Sequence, residues 1–189
     1  MLKLVVAVGG ASGAPYARRL LDVLATQPAD KVQTHIVFSK SAQQVWAQEV
    51  GTATADLPFK KWDSRDFNAP FASGSAGFGA MVVIPCSMAG LGRIAHGVSE
   101  DLIGRAADVM LKERRKLILV ARDTPLSLIH LENMTAVTRA GALVLPAMPS
   151  FYGRPKTVEE VLDTVVGRVL DQLGLPIRLG PRWGEEQPS

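Results

Sequence analysis

Five short segments rich in apolar and β-branched residues recur along this chain, and they restrict the folds that it can adopt. They span Leu2–Val8, Val32–Phe38, Met81–Pro85, Leu117–Ala121 and Ala142–Leu145. Helical periodicity fills the intervals between them. Strands with no polar face that alternate with helices are typical of a parallel sheet covered by helices on both faces. The sequence therefore predicts an α/β fold with such a sheet.

The size and composition of the chain suit one domain and exclude several classes of protein. Its 189 residues are enough to bury one full core. No apolar run approaches the roughly 20 residues of a membrane span. The 21 basic residues are interspersed with 18 acidic ones, and they form no basic block that would bind nucleic acid. The single cysteine, Cys86, excludes an internal disulfide and favours a reducing compartment, so the cytoplasm is expected.

The last helix has the clearest boundaries in the sequence. Thr157 is a suitable N-cap, Glu160 completes a capping box, and Gly174 suits the position just past the helix end. Apolar residues between them form one stripe at helical spacing, and Arg168 lies at the rim of that stripe. This arginine either reaches into a cleft or lies along the surface.

Two segments lack a regular pattern. Residues 51–79 contain aromatic residues and a small-residue cluster, and we expect them to form a loop region that closes over a site. The proline-rich residues 176–189 are expected to form an extended arm that follows a domain of residues 1–175.

A glycine-rich segment, Val8–Pro15, follows the first predicted strand. Glycine permits a tight turn, Pro15 is favoured in the first turn of a helix, and the amides at a helix start bind anions. The spacing of the glycines is not that of the dinucleotide-binding fingerprint, so a purely structural turn is the alternative. Ser12 is a candidate to bind a ligand, to relay a proton or to cap the helix.

The segment Ile84–Met88 ends the central predicted strand. No histidine accompanies Cys86, so we interpret it as a small packing residue rather than a nucleophile. Ser87 is the better candidate, because it offers a hydroxyl and an amide at the strand end.

The segment Arg105–Pro125 supplies most of the cationic candidates. Arg105 and Lys112 are one heptad apart in a predicted helix and share a face. Arg114–Lys116 are expected to form a solvated helix end. Arg122 and Asp123 follow a strand, so they either lie on the ligand side of the sheet or form a surface pair.

The remaining polar candidates are weaker. Tyr152, in the segment PSFYGRP, either packs or binds a ligand, and His130 is expected to hydrogen-bond within the structure. The three histidines lack metal-ligand spacing, and no aspartate-rich cluster could hold magnesium on a diphosphate. Metal-free chemistry is therefore expected.

Several motifs, taken together, are specific enough to indicate a resemblance to a known protein family. They are GASGA at 10–14, SKSAQ at 39–43, ASGS at 72–75, PCSM at 85–88, RAADVMLKERR at 105–115, PLSLIHLENM at 125–134, PAMPSFY at 146–152 and PRWGE at 181–185. Through them nearly the whole chain resembles the flavin prenyltransferases of the UbiX type, also called the small subunit of phenolic acid decarboxylases.

This resemblance implies a Rossmann-like, flavodoxin-like fold that assembles as a homododecamer with pockets between subunits. It implies a metal-independent enzyme that joins the dimethylallyl group of dimethylallyl monophosphate to N5 and C6 of reduced FMN. The product, prenylated FMN, is the cofactor of UbiD-type decarboxylases.

The resemblance also implies roles for individual residues. The FMN contacts would be Gly10, Ala11, Ser12, Ser39, Ser87, Met88, Ala89, Gly90 and Arg122. Tyr152 and Arg168 would hold the prenyl phosphate, assisted by Arg105 and Lys112. Phe67 and Trp183 would form an aromatic wall that excludes water. Ser12, Glu49 and Asp123 would move protons.

Two residues depart from the pattern of the family. Asp123 stands where glutamate is common, and Gly9 replaces a hydroxyl residue that commonly precedes GASG. The shorter carboxylate of Asp123 favours one alternative, a non-catalytic FMN-binding or chaperone subunit of a decarboxylase system. A flavin-dependent cysteine decarboxylase is a further alternative, but its characteristic histidine and PxMNxxMW-type motif are not visible.

Overall fold

The computed structural model describes residues 1–51 and 53–184, and in them a six-stranded sheet is flanked by six α-helices. The strands are β1 (Leu2–Val8), β2 (Val32–Phe38), β3 (Lys60–Trp62), β4 (Ala80–Cys86), β5 (Lys116–Ala121) and β6 (Leu143–Val144). The helices are α1 (Ala14–Ala25), α2 (Lys40–Glu49), α3 (Met88–Ala95), α4 (Leu102–Lys112), α5 (Leu128–Arg139) and α6 (Val158–Leu173). None of these helices is both long and apolar enough to cross a bilayer.

All neighbouring strands are parallel, in the order β3-β2-β1-β4-β5-β6. The order is that of the Rossmann sheet, and without the three-residue β3 it would be the flavodoxin order. The chain leaves β1 toward one edge and returns through β4 to build the other half. The prediction of a parallel α/β sheet is confirmed, and β1 and β4 form its topological switch point.

Apolar strands produce two cores, one on each face of the sheet. The central strands are buried on both faces, because every residue of Leu4–Val8 and of β4 is buried. Residues of α1, α2 and α6 pack on one face. Residues of α3, α4 and α5 pack on the other. The central strands β1 and β4 are therefore almost wholly apolar, because helices cover both sides of the sheet.

The described residues of the segment 51–79, which are all but residue 52, are more ordered than a loop. They contain the short strand β3, which pairs with β2, and three 3₁₀ turns at Thr54–Asp56, Pro70–Ala72 and Gly74–Ala76. Phe71 and Phe78 are buried in the core beneath α4. The aromatic residues of this segment thus belong to the core as well as to the surface.

Helix α6 follows the sequence prediction with one change. The Thr157 hydroxyl accepts the amide of Glu160 at 3.1 Å, and Gly174 ends the helix at a φ of 72°. The Glu160 carboxylate, however, accepts the amide of Lys156 at 2.6 Å, so the expected capping box is displaced by one residue.

The predicted arm, residues 176–189, is described as far as residue 184, and its last five residues lie outside the described part of the chain. Residues 176–184 contain no helix or strand, and the division into a domain and an arm stays a prediction.

Candidate active site

The carboxyl ends of β1 and β4 meet at the switch point, where ligands of open α/β sheets bind. The amide of Gly9 donates to the Pro85 carbonyl at 3.1 Å and joins the two strand ends. A Cβ on Gly9 would overlap that carbonyl oxygen. A side chain at position 9 would therefore require the end of β4 to shift, a constraint that the sequence did not indicate.

A small serine-lined cavity opens at this point. It measures about 60 Å³, and its lining includes Gly10, Ser39, Ser41, Ser87 and Gly90. Such a volume is far below the roughly 300–1,000 Å³ of a pocket that holds a whole ligand. The cavity can therefore receive one end of a ligand, such as a phosphate.

Helix starts direct backbone amides toward the cavity. The Ser39 hydroxyl accepts the amide of Ala42 at 3.1 Å, and the Ser87 hydroxyl accepts that of Gly90 at 3.2 Å. These serines are the N-caps of α2 and α3, whose N-terminal partial charges favour an anion. The serine hydroxyl groups and the positive ends of these two helices form an environment that fits a phosphate ester.

Sequence reasoning did not single out three other residues of this lining, Ser41, Arg93 and Asp101. Ser41 lies 3.3 Å from Ser39, hydroxyl to hydroxyl, and a Cβ on Gly10 would overlap its side chain. Ser41 lies within the SKSAQ motif, and that motif is the sequence feature from which its place in the cavity could have been predicted. Arg93 comes from α3 and Asp101 from the start of α4, and no spacing pattern marked them.

The start of α1 is occupied by a side chain from α2. One carboxylate oxygen of Glu49 accepts the amides of Gly13 and Ala14 at 2.8 and 2.9 Å. The Ser12 hydroxyl also hydrogen-bonds to this carboxylate. Gly13 is the N-cap residue and has no side chain to serve as a cap, so the suggestion that Ser12 caps α1 is wrong.

These contacts set the ionisation of Glu49. Desolvation raises the pKa of this carboxyl, but the hydrogen bonds from Ser12 and the two amides, together with the charge of Arg122, outweigh it. The net effect is a pKa below the ordinary value. Glu49 is thus an ionised group in hydrogen-bond contact with Ser12, an arrangement able to hold or pass a proton.

Arg122 and Asp123 follow β5 and are exposed. The amide of Arg122 donates to the Cys86 carbonyl at 3.1 Å, which places it beside the end of β4. The Asp123 carboxylate accepts the amide of Thr124 at 2.9 Å. The loop therefore lies on the ligand side of the sheet, which was the first of the two positions that the sequence allowed for Arg122 and Asp123.

Cys86 is fully buried, and burial raises the pKa of its thiol to about 12. The interpretation of this residue as packing agrees with that environment. Two of the predicted FMN contacts, Ala11 and Met88, are also buried.

A second, larger cavity of about 890 Å³ lies between α6, the loop after β6 and the arm. Tyr152 and Arg168, which are predicted to hold the prenyl phosphate, line it together with Trp183 of the predicted aromatic wall. The rings of Tyr152 and Trp183 pack edge to face with centroids 5.5 Å apart. Five basic and three acidic side chains line this cavity, so its charge favours an anion.

Arg105, Lys112 and Phe67 line neither cavity in the described part of the chain. Arg105 donates to the Ala72 carbonyl at 3.0 Å and pairs with Asp108, and Lys112 pairs with Glu113. Phe67 is 49% exposed. Within one chain, these three residues therefore do not lie in the same cavity as Tyr152 and Arg168.

The predictions for Arg115 and His130 have different outcomes. Arg115 is not part of a solvated helix end, because it is half-buried and donates to the Gly74 carbonyl at 2.7 Å. The His130 ring accepts the amide of Ser127 at 3.3 Å, which confirms an internal hydrogen bond. Among the described residues, no cluster of His, Cys, Asp or Glu side chains is arranged to hold a metal ion.

Comparison with known proteins gives consistent similarities. Residues 1–170 match the protein-family model described as Flavoprotein. The flavin prenyltransferase UbiX of Methanocaldococcus jannaschii is 44% identical over 191 residues, which cover 97% of this chain and 99% of that protein.

Solved structures are equally close. A dodecameric FMN-dependent UbiX-like decarboxylase from Escherichia coli O157:H7 aligns with a TM-score of 0.92 at 45% identity and covers 97% of this chain and 100% of its own. The structure of AnUbiX (PadA1) in complex with FMN and dimethylallyl pyrophosphate aligns with a TM-score of 0.93 at 42% identity. That alignment covers 98% of this chain and 99% of the AnUbiX chain.

Proposed function

Since the chain belongs to the flavoprotein family and, within it, to the UbiX flavin prenyltransferases, we propose that it transfers the dimethylallyl group of dimethylallyl monophosphate to reduced FMN. It is a prenyltransferase that uses FMN. Bound reduced FMN supplies the nucleophilic ring atoms N5 and C6 that accept the allyl group. All other steps fall to side chains of the protein.

The observation that carries the proposal is the presence of two separate sites suited to phosphate. The serine-lined cavity at the switch point fits the phosphate end of FMN, through the hydroxyls of Ser39, Ser41 and Ser87. The larger, net basic cavity fits a second phosphate beside Tyr152 and Arg168. A reaction between a flavin nucleotide and a prenyl phosphate requires both.

The basic side chains provide the charge that the leaving phosphate needs. When the allylic carbon–oxygen bond breaks, the electron pair stays with the phosphate, and fixed guanidinium groups stabilise that charge. This is the role we assign to Arg168, with Arg122 near the flavin end. Metal-independent transfer is therefore part of the proposal.

Proton transfer is assigned to the network at the start of α1. Ser12 contacts the ionised Glu49, whose carboxylate is held by two amides and cannot turn away. A proton released on the substrate side can pass through the Ser12 hydroxyl to this carboxylate. Asp123, exposed on the adjacent loop, is the second candidate carboxylate.

We propose that a neighbouring copy completes the substrate site. Arg105 and Lys112 lie on α4, apart from the cavity that Tyr152 and Arg168 line. Leu128 and Ile129 of α5 are 69% and 67% exposed, which suits burial against another subunit. The dodecameric E. coli relative supports a homododecamer here.

The destination of the product and the cellular location are also proposals. Prenylated FMN would be supplied to a UbiD-type decarboxylase, as the family resemblance implies. A reducing compartment, for which the cytoplasm is the default, agrees with the single buried cysteine. We also retain the division into a flavin-binding domain of residues 1–175 and an arm of residues 176–189.

The direct test is anaerobic incubation of the purified protein with reduced FMN and dimethylallyl monophosphate. We expect the mass of the extracted flavin to rise by one prenyl unit, and parallel reactions with the diphosphate measure the donor preference. FMN that is bound but unchanged in mass would favour the alternative of a binding or chaperone subunit. Release of CO₂ from a phenolic acid by the protein and FMN alone would instead indicate a decarboxylase.

Asp123 offers a sharper test of the catalytic assignment. The Asp123→Glu variant restores the side-chain length common in the family, so we expect faster prenylation with unchanged FMN affinity. Asp123→Asn should slow prenylation, since positioned proton transfer contributes roughly 10²- to 10⁴-fold in rate. Equal rates for all three proteins would remove Asp123 from the reaction.

A further inference from the structure

Residues 175–184, which are the last residue of the predicted domain and the described part of the arm, pack along the body of the protein. Leu175, Ile177 and Leu179 are partly buried against the core beneath α1 and α6. The residues between them are exposed. This two-residue alternation fixes which side of the arm meets the core and brings Arg182 and Trp183 to the large cavity.

Asp171 joins the arm to α6. One of its carboxylate oxygens accepts a hydrogen bond from Arg168 at 2.9 Å, one helical turn earlier. The other accepts from Arg182 of the arm at 2.7 Å. The carboxylate therefore holds two guanidinium groups, one on each side of it.

The arm also contacts the other residue assigned to the prenyl phosphate. The Tyr152 hydroxyl donates to the Pro181 carbonyl at 3.4 Å, and its ring packs against Trp183. A Cβ on Gly153 would lie 2.8 Å from the Pro181 ring, so the two segments are closely packed. Seven consecutive residues, 177–183, line the same cavity as Tyr152 and Arg168.

We infer that Asp171 is a positioning residue, which fastens the arm to α6 and sets Arg168 and Arg182 side by side as a pair of guanidinium groups for the phosphate of the prenyl substrate. The inference rests on the proposed function and adds Arg182 to the residues that bind this phosphate. Two arginines so close together repel each other, and the carboxylate between them offsets that repulsion. The site is thus arranged before the substrate arrives, which lowers the entropic cost of binding.

If Asp171 only stabilised the fold, its loss would lower the melting temperature. Arg168 and Arg182 are 63% and 55% exposed at the side chain, and exposed ion pairs contribute little to folding stability. Loss of the Asp171 charge should therefore change the binding of the prenyl phosphate and the opening of the arm, with little change in the melting temperature.

The test compares Asp171→Asn with the wild-type protein in two assays. We expect the KM for dimethylallyl monophosphate to rise about tenfold, the effect of losing one charge-assisted hydrogen bond, with kcat and FMN affinity unchanged. Independently of activity, we expect trypsin to cleave the native protein after Arg178 roughly 3- to 10-fold faster, since the arm opens more often.

Three further variants make the test specific. Asp171→Glu keeps the charge and should restore most of the wild-type KM. The double variant Asp171→Asn with Arg182→Gln should have a KM and a cleavage rate no higher than those of the more affected single variant, because both substitutions remove the same ion pair. Asp22→Asn breaks a comparable ion pair with Arg18 on α1, at 2.8 Å, and should change neither readout.

Several outcomes would overturn the inference. They are an unchanged KM and cleavage rate in Asp171→Asn, additive effects in the double variant, or an equal loss of FMN affinity. If the wild-type protein forms no prenylated flavin, the proposed function fails, while the cleavage assay still reports whether Asp171 holds the arm.

Discussion

The Glu49 carboxylate at the start of α1 allows the most quantitative prediction. In Glu49→Gln the side chain keeps an oxygen that accepts an amide but loses its charge. Charge-assisted hydrogen bonds are roughly twice as strong as neutral ones. An acidic group at a helix N-terminus contributes about 0.3–1 kcal/mol. Glu49 is exposed, so solvent reduces both effects, and we expect a total loss of about 1 kcal/mol at neutral pH.

For a chain of this size, about 1 kcal/mol corresponds to a fall in melting temperature of roughly 2–4 °C. The assay is thermal unfolding followed by circular dichroism, at fixed protein concentration and across a pH series. The pKa of Glu49 is lowered on folding, so its stabilisation is complete above the ordinary value of 4.5 and is lost as the pH falls through the folded-state pKa. The difference between wild type and Glu49→Gln should therefore shrink in acid.

Asp30→Asn is the control, since it removes an exposed carboxylate from the turn before β2 and should leave the melting temperature unchanged. A Glu49→Gln protein as stable as wild type at neutral pH would refute the reasoning. So would a difference that persists undiminished in acid, because it could not come from the ionised carboxylate.

Three other predictions follow from single residues. Arg168→Ala should weaken binding of dimethylallyl monophosphate and leave FMN bound; calorimetric titration showing equal loss of both ligands would contradict this division of roles. Burial, with the charges of Lys60 and Lys3, lowers the pKa of His35, which accepts the Trp62 indole N–H at 3.1 Å. Stability from His35 is thus present above pH 6.5 and declines below it, so a His35→Leu protein should lose less stability between pH 7.5 and 5.5 in urea titrations. Burial raises the pKa of the Cys86 thiol to about 12 and shields the sulfur, so iodoacetamide should label it only after unfolding; rapid labelling of the native protein would exclude its buried state.

The central sheet was predictable because its strands are buried on both faces. The ranges of β1 and β2 agree residue for residue with the apolar segments. Strand β3 was missed because two of its three residues are lysines, as suits an edge strand whose outer side needs no apolar cover. The predicted segment Ala142–Leu145 contains a strand of only two residues, since it too lies at an edge.

The site was predictable where topology alone decides position. Gly10, Ser39 and Ser87 follow β1, β2 and β4, three adjacent parallel strands, so their convergence needed no knowledge of side-chain contacts. The capping of α1 by Glu49 and the contact of Arg115 with Gly74 join residues 35 to 41 positions apart. Such pairs follow no period in the sequence, and only the folded chain reveals them.

Partly buried and exposed residues alternate from Leu175 to Leu179. This pattern constrains the number of residues in the segment more strongly than it constrains their identity. Deleting one residue after Gly174 would turn every later side chain to the opposite side, so arginine would face the core and leucine the solvent. Deleting two would keep the sides but draw Arg182 roughly 6–7 Å along the chain, beyond the reach of its partner. The segment can therefore exchange side chains of similar character far more readily than it can be shortened.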